Sequence, residues 1–293
     1  MRHHRAGIAA CLLLSLAAAT LAADATYREE IAKWRQDFDT DVRKGGWLTL
    51  VNRVQLTEGP ATVGSDSGST VLLPPRAPEH LGTISRTQAT FQFEPARGVR
   101  YVLDGKSVAG RAELSTKSGT GRVQVGAIRL SVRGVGDDFY AMVTDDENPA
   151  IAKFQGISWF PIDPSWRIPA RFVPYRQSES VGVPMTHVSS KTTMTSTGDV
   201  AFELEGHSVR LKTFLDENHL FVMFLDATNG RESYGGGRFL DAPLPKDGVT
   251  TLDFNKAYNP YCSVNDNVMC PVIPATSRLE VRVVAGEKYV RSD

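Results

Sequence analysis

The chain predicts a mostly β protein: an N-terminal amphipathic helix, a β-sandwich, and a second antiparallel unit that is a sandwich or a barrel. Three observations carry this. Only one stretch of the 293 residues has a helical apolar period. From Trp47 onward the apolar period is two. Gly, Pro and Asp turn signals then recur at short spacing, which short strands require and long helices do not tolerate.

The helix is read from Thr26 to Lys44. Tyr27, Ile31, Trp34, Phe38 and Val42 follow at four- and three-residue steps and share one face. Thr26 with Glu29 has the form of a capping box. Arg43 and Lys44 suit the negative end of the helix dipole, and Gly45-Gly46 stops it. Its polar face mixes acids with Lys33 and Arg35, so it is expected to pack on the body and not on a membrane surface.

The strands follow. Phe91 and Phe93 flank Gln92, and Ile128, Leu130 and Val132 alternate with Arg129, Ser131 and Arg133. Tyr101–Leu103 and Val200–Leu204 lead into Asp104-Gly105 and Glu205-Gly206, both hairpin turn pairs. Leu220–Leu225 is continuously apolar and predicts a strand buried on both faces. Gln177–Ser180 and Ser189–Gly198 read as polar loops or edge strands. An acidic turn ending in Asn148-Pro149 marks the boundary. The layout is a signal peptide over 1–23, the helix over 24–46, one β domain over 47–146 and another over 147–293.

The N-terminus predicts export. Arg2 and Arg5 precede an apolar run from Ile8 to Ala19, too short to span a bilayer comfortably, and small residues follow. Cleavage is expected after Ala22 or Ala23, leaving no integral span and placing the protein in the periplasm or outside the cell. Ile8-Ala9-Ala10-Cys11 has the form of a lipid-attachment signal, but most of the apolar run follows that Cys. The chain has 33 basic and 33 acidic side chains. Loss of Arg2 and Arg5 leaves 31 against 33, a formal −2, with no overall footprint for nucleic acid. Cys262 and Cys270 are then the two cysteines left. A disulfide between them is expected to contribute about 2.5 kcal/mol on a chain-entropy argument. No second Cys/His pair stands at metal-ligand spacing, and no cofactor motif is present.

Two family resemblances add to this. Trp34-Arg35, Gly46-Trp47-Leu48, Leu81-Gly82, Phe154–Pro161, Asp226-Ala227-Thr228, Gly237–Leu240 and the block from Asp253 to Lys288 resemble the bacterial family known as domain of unknown function 1684. That resemblance implies no reaction. Residues 47–144 also resemble a degenerate forkhead-associated (FHA) β-sandwich, through Thr62-Val63-Gly64, Val71–Pro74, Glu79-His80 and Asp104-Gly105. FHA domains hold phosphothreonine with an Arg and a Ser. Ser65 and Ala77 stand at those positions here, so the resemblance implies the fold without the phosphopeptide site.

The candidate binding residues are Asp226, Tyr234, Arg238, Asp253, Asn255, Tyr258 and Glu287, polar groups on a segment pinned by prolines and cysteines. The competing reading makes them internal struts, with Arg238 paired to Asp226 or Asp253. Catalytic templates are missing: Gly64–Gly68 has Asp66 where a nucleophile elbow needs Ser. The function expected is a non-catalytic module that binds an envelope component or partner protein. One alternative is a hydrolase of an envelope polymer using Asp253 or Glu287. The other is a purely structural envelope part.

Overall fold

Eleven strands between residues 50 and 145 build the first unit: β1 (Leu50–Gln55), β2 (Gly59–Gly64), β3 (Val71–Leu72), β4 (Gly82–Thr87), β5 (Thr90–Pro95), β6 (Tyr101–Leu103), β7 (Lys106–Val108), β8 (Ala112–Leu114), β9 (Val123–Val125), β10 (Ile128–Val135) and β11 (Asp138–Asp145). The computed structural model describes residues 4–44, 47–117 and 119–289. Six strands form one sheet in the order β1-β11-β10-β9-β6-β7, and five form the other in the order β3-β2-β4-β5-β8. Alternation explains the core between them. Ile128, Leu130 and Val132 of β10 and Phe91 and Phe93 of β5 point inward and are buried together.

A short helix, α2 (Pro149–Lys153), leads into the second unit: β12 (Arg167–Pro184), β13 (Lys191–Leu204), β14 (His207–Asp216), β15 (His219–Phe224), β16 (Arg238–Pro243) and β17 (Val249–Asp253). These six are ordered β16-β15-β14-β13-β12-β17 and curl into a nearly closed barrel. Of the two architectures left open by the sequence, the barrel is the one found. The stretches Gln177–Ser180 and Ser189–Gly198 are loop and edge, as read. Ser189 and Ser190 precede β13. Beyond a ladder slip between Pro174 and Glu179, the outer arms of the β12–β13 hairpin pair only with each other, and Gly198 is the first residue to reach β14.

The apolar run of β15 has a specific cause. Leu220, Val222 and Phe224 face the barrel interior. Phe221 and Met223 face outward into a second core shared with Leu50, Val135, Tyr140 and Met142 of the sandwich. Both faces are covered because the sandwich docks on the barrel, so no polar alternation survives.

Helix α1 (His4–Lys44) is longer than the predicted helix. No cap forms at Thr26. The chain is already helical there, and the Thr26 hydroxyl donates back to the Ala22 carbonyl at 3.0 Å. The helix-stop at Gly45-Gly46 lies outside the described residues. The predicted apolar face is the one that packs: Tyr27, Ile31 and Val42 are buried. Trp34 stacks on Phe38 at 5.1 Å, and Phe38 meets Tyr258 at 5.2 Å. Arg35 donates to the carbonyls of Phe160 and Asn255 and lies over the Trp159 ring. Among the described residues no helix is long and apolar enough to cross a membrane.

Candidate functional site

The seven predicted residues separate into distinct groups, and most are closed to solvent. Arg238 opens β16 and is completely buried. Its Nη2 donates to Asp226 Oδ2 at 2.6 Å and to the Val283 carbonyl at 2.7 Å. Nη1 donates to the Ala285 carbonyl and, at 3.5 Å, to that of Glu287. Three tail carbonyls, each two residues from the next, converge on this one guanidinium across the bend at Ala285-Gly286. The guanidinium therefore does the work of an adjacent strand for the C-terminal tail. The rings of Phe224 and Phe160 lie 5.2 and 5.9 Å from it. Asp226 is held in turn, its Oδ1 accepting the Thr228 N–H at 2.7 Å. The pairing read as the competing alternative, Arg238 with Asp226, is the one present.

Glu287 lies beside this pair and is also buried. Its Oε2 accepts the Asn259 N–H at 2.8 Å. Burial pushes its carboxyl up to about 8, against the smaller opposing pull of Asn259 and Arg238. The guanidinium pairs with Asp226 alone, and the nearby Glu287 carboxyl, in a dry core, keeps its proton near neutral pH.

Asn255 is a junction. Its Oδ1 accepts the Asp163 N–H at 3.0 Å, and its Nδ2 donates to the Tyr27 hydroxyl at 2.9 Å and the Asp163 carbonyl at 2.8 Å. Asp253 caps the short 3-10 helix Phe254–Lys256 and accepts from Tyr27 at 2.7 Å. These two residues lock the helix to the barrel. Burial, then Asp253, raises the Tyr27 hydroxyl well above its ordinary range.

Tyr258 is separate again. Its hydroxyl donates to Asp241 Oδ2 at 3.2 Å, and His219 Nε2 is 3.3 Å from Asp241 Oδ1. Sequence reasoning missed Asp241. No signal along the chain marked it: the β15–β16 pairing of Phe221 with Asp241 sets it on the outer face with His219. Burial raises the Asp241 carboxyl. Tyr234 joins the Glu287 group only through its backbone, its N–H donating to Asn259 Oδ1 at 3.3 Å. Its hydroxyl lies against Cys262 and is raised to about 12 first by burial.

Cys262 and Cys270 are both buried, and both are free thiols in this structure. They are nevertheless in contact, with the Cys262 N–H directed at Cys270 Sγ at 3.3 Å. The loop they bracket is a mortise between the units and not an exposed reader. Asn265 donates to the carbonyls of Trp47 and Leu50 at 2.7 and 2.8 Å, and Val268 and Met269 enter the shared core. Tyr261 stacks on Trp47 at 4.2 Å.

These residues therefore do not line an open cleft. The concavity that reaches Asn259 and Glu287 measures about 10 Å³, around the lower limit for a single water. Among the described residues no group of three or more His, Cys, Asp or Glu side chains is arranged to hold a metal. Larger concavities lie elsewhere, the first of them, about 650 Å³, on the outer face of the sandwich. In the first unit, the Ser65 hydroxyl donates to the Ala77 carbonyl at 2.8 Å, and the two positions close on each other.

The seating of the tail gives a direct prediction. Gly286 has φ +79°, and a Cβ there would sit 2.5 Å from the Ala257 carbonyl oxygen and 2.7 Å from that of Phe254. Gly286→Ala is expected to cost about 2–5 kcal/mol through the left-handed backbone and the overlap together. A wild-type urea midpoint for this variant would show that the tail is seated differently.

Residues 152–288 match the family described as protein of unknown function DUF1684. Trp34-Arg35, Gly46–Leu48 and Leu81-Gly82 lie outside that match, although Trp34 and Trp47 pack against it through Trp159 and Tyr261. No protein among those with curated descriptions matches the chain. A solved relative is an uncharacterized protein of Haloarcula marismortui, determined by solution NMR. It is 36% identical over 48% of this chain and 80% of its own, with a TM-score of 0.41. The C-terminal unit, over residues 152–288, belongs to the DUF1684 family of proteins of unknown function.

Proposed function

We propose that this is an exported, non-catalytic binding module for an envelope component or partner protein. In this reading the DUF1684 unit is the rigid body, and the sandwich, FHA-like in its residues, offers the ligand-facing surface. One observation carries it: the polar residues of the family block satisfy one another inside the core. A hydrolase would need Asp253 or Glu287 open to a substrate. Asp253 is half-buried and engaged by the Tyr27 hydroxyl and the Asn255 N–H, and the space beside Glu287 holds about 10 Å³. Export fits the way the helix packs. From residue 22 onward, Ala22–Thr26 are exposed and Tyr27 is the first buried side chain, so cleavage after Ala22 or Ala23 removes nothing from residue 22 onward that the body buries.

Export also supplies the oxidant for the cysteine pair. The two cysteines are in contact in the fold, and exchange takes place during folding, before burial closes the pair to an oxidase. Cys262 Sγ attacks the disulfide of an exported thiol oxidase, releasing one of its cysteine thiolates. Cys270 Sγ then displaces the enzyme's other cysteine. Two thiols are oxidised, their two protons are released to solvent and enzyme thiolate, and the oxidase disulfide is reduced.

The test uses mature protein recovered from the periplasm. Its mass is expected to be two hydrogens below the reduced value, and Cys262→Ser is expected to lose about 2.5 kcal/mol of stability. A broad hydrolase screen is expected to find no turnover. Turnover abolished by Asp253→Asn at unchanged melting temperature would overturn the non-catalytic reading.

A further inference from the structure

The strongest unassigned feature is the concavity on the outer face of the six-stranded sheet. Its floor follows from the alternation of β10: Ile128, Leu130 and Val132 fill the sandwich, which sends Arg129, Ser131 and Arg133 to the opposite face. In register beside them, β11 places Thr144 opposite Arg129 and Met142 opposite Ser131. The β8–β9 connection, with Lys117 and Arg122, forms one wall. The Trp47–Leu50 segment forms the other. The enclosed volume is about 650 Å³, within the usual range of about 300–1,000 Å³ for small-ligand sites.

Charge separates this concavity from the others. Lys117, Arg122, Arg129 and Arg133 line it against a single carboxylate, Asp146. Asp146 is already engaged, holding Arg129 in a fork at 2.5–2.8 Å. Arg122 lies near Asp104, which is outside the lining, and whose carboxylate is lowered first by the Arg122 and Gly121 N–H groups. Lys117 and Arg133 are exposed and make no ion pair among the described residues. A chain with equal numbers of acids and bases thus gathers unneutralised cations around one hollow. Low-dielectric walls concentrate such a field.

We propose that this hollow is a binding site for a small, multiply charged anion bearing phosphate or carboxylate groups. Arg133 and Arg122 supply planar donor forks for the anionic oxygens, and Lys117 adds a point charge from the loop. Arg129, fixed by Asp146, holds its strand position and leaves free donor capacity to the others. The concave shape favours a small ligand over a bilayer surface or a duplex, which need an open face. The inference goes beyond the non-catalytic reading and does not depend on it, since that reading rests on the closed family block.

The experiment is calorimetric titration of the mature full chain with tripolyphosphate and, separately, with citrate. At least one is expected to bind, with affinity falling as salt rises. Arg133→Ala and Lys117→Ala are each expected to weaken binding by about tenfold, with melting temperature unchanged because both side chains are exposed. Lys246→Ala on the barrel removes one charge elsewhere and is expected to bind like the wild type. Binding of tripolyphosphate alone marks a phosphate ligand, and of citrate alone a carboxylate ligand. No binding of either anion would overturn the proposal. So would unchanged affinity in both lining variants, an equal loss in Lys246→Ala, or binding of anionic vesicles that those variants abolish in the same way.

Discussion

Arg238→Ala is expected to destabilise the protein by about 3–5 kcal/mol, a large part of the stability of an ordinary domain. The loss comes from several sources at one point. Asp226 is left as a buried carboxylate without its cation. The carbonyls of Val283 and Ala285 lose their donor, and a void opens between Phe224 and Phe160. The tail is therefore expected to loosen first, visible as hydrogen exchange at Val283 and Glu287, whose N–H groups bond to Asp226 and Ala257. Denaturant unfolding measures the total. Arg238→Met with Asp226→Leu removes both charges and is expected to lose much less than Arg238→Ala, because no orphan charge remains. If Arg238→Ala unfolds like the wild type, the guanidinium is not a strut, and a ligand role returns.

Glu287 sets the second large effect, and its sign is opposite to that of most carboxylates. Its value in the fold is about 8 against an ordinary 4.5. Between those two pH values the native protein holds a proton that the unfolded chain has released. Stability therefore falls as pH rises from about 4.5 to 8, and this group's contribution is fully present only below about 4.5. The loss across the window is on the order of a few kcal/mol. Glu287→Gln keeps an acceptor for the Asn259 N–H and never ionises. It is expected to match the wild type at acid pH and exceed it near pH 8. Parallel stability curves for the two proteins between pH 5 and 8 would show that Glu287 is ionised throughout.

These two effects depend on one arrangement, a core that holds Arg238 paired with Asp226 and the Glu287 carboxyl nearby. The family resemblance identified the residues. Nothing along the chain distinguished an inward-facing Arg238 from one in an open cleft, because both need the same polar types. The choice is made by the tail, which runs past β16 close enough for Val283 and Ala285 to reach the guanidinium. Asp241 was invisible for a related reason: its partners His219 and Tyr258 come from other elements, brought together by strand pairing.

By itself the sequence determined what depends on local period and turn chemistry. The apolar face of the helix, the strands with inward Phe91 and Phe93 or Leu130 and Val132, and the turns at Asp104-Gly105 and Glu205-Gly206 all stand as read. Side-chain spacing and left-handed turn residues encode those features within a few positions. Tertiary structure alone decided that the second unit curls into a barrel, that the cysteine loop joins two units, and that Asn255, Glu287 and Arg238 face inward. Each of these is set by the approach of segments far apart in the chain, and a polar side chain's role follows from which groups that approach leaves within reach of it.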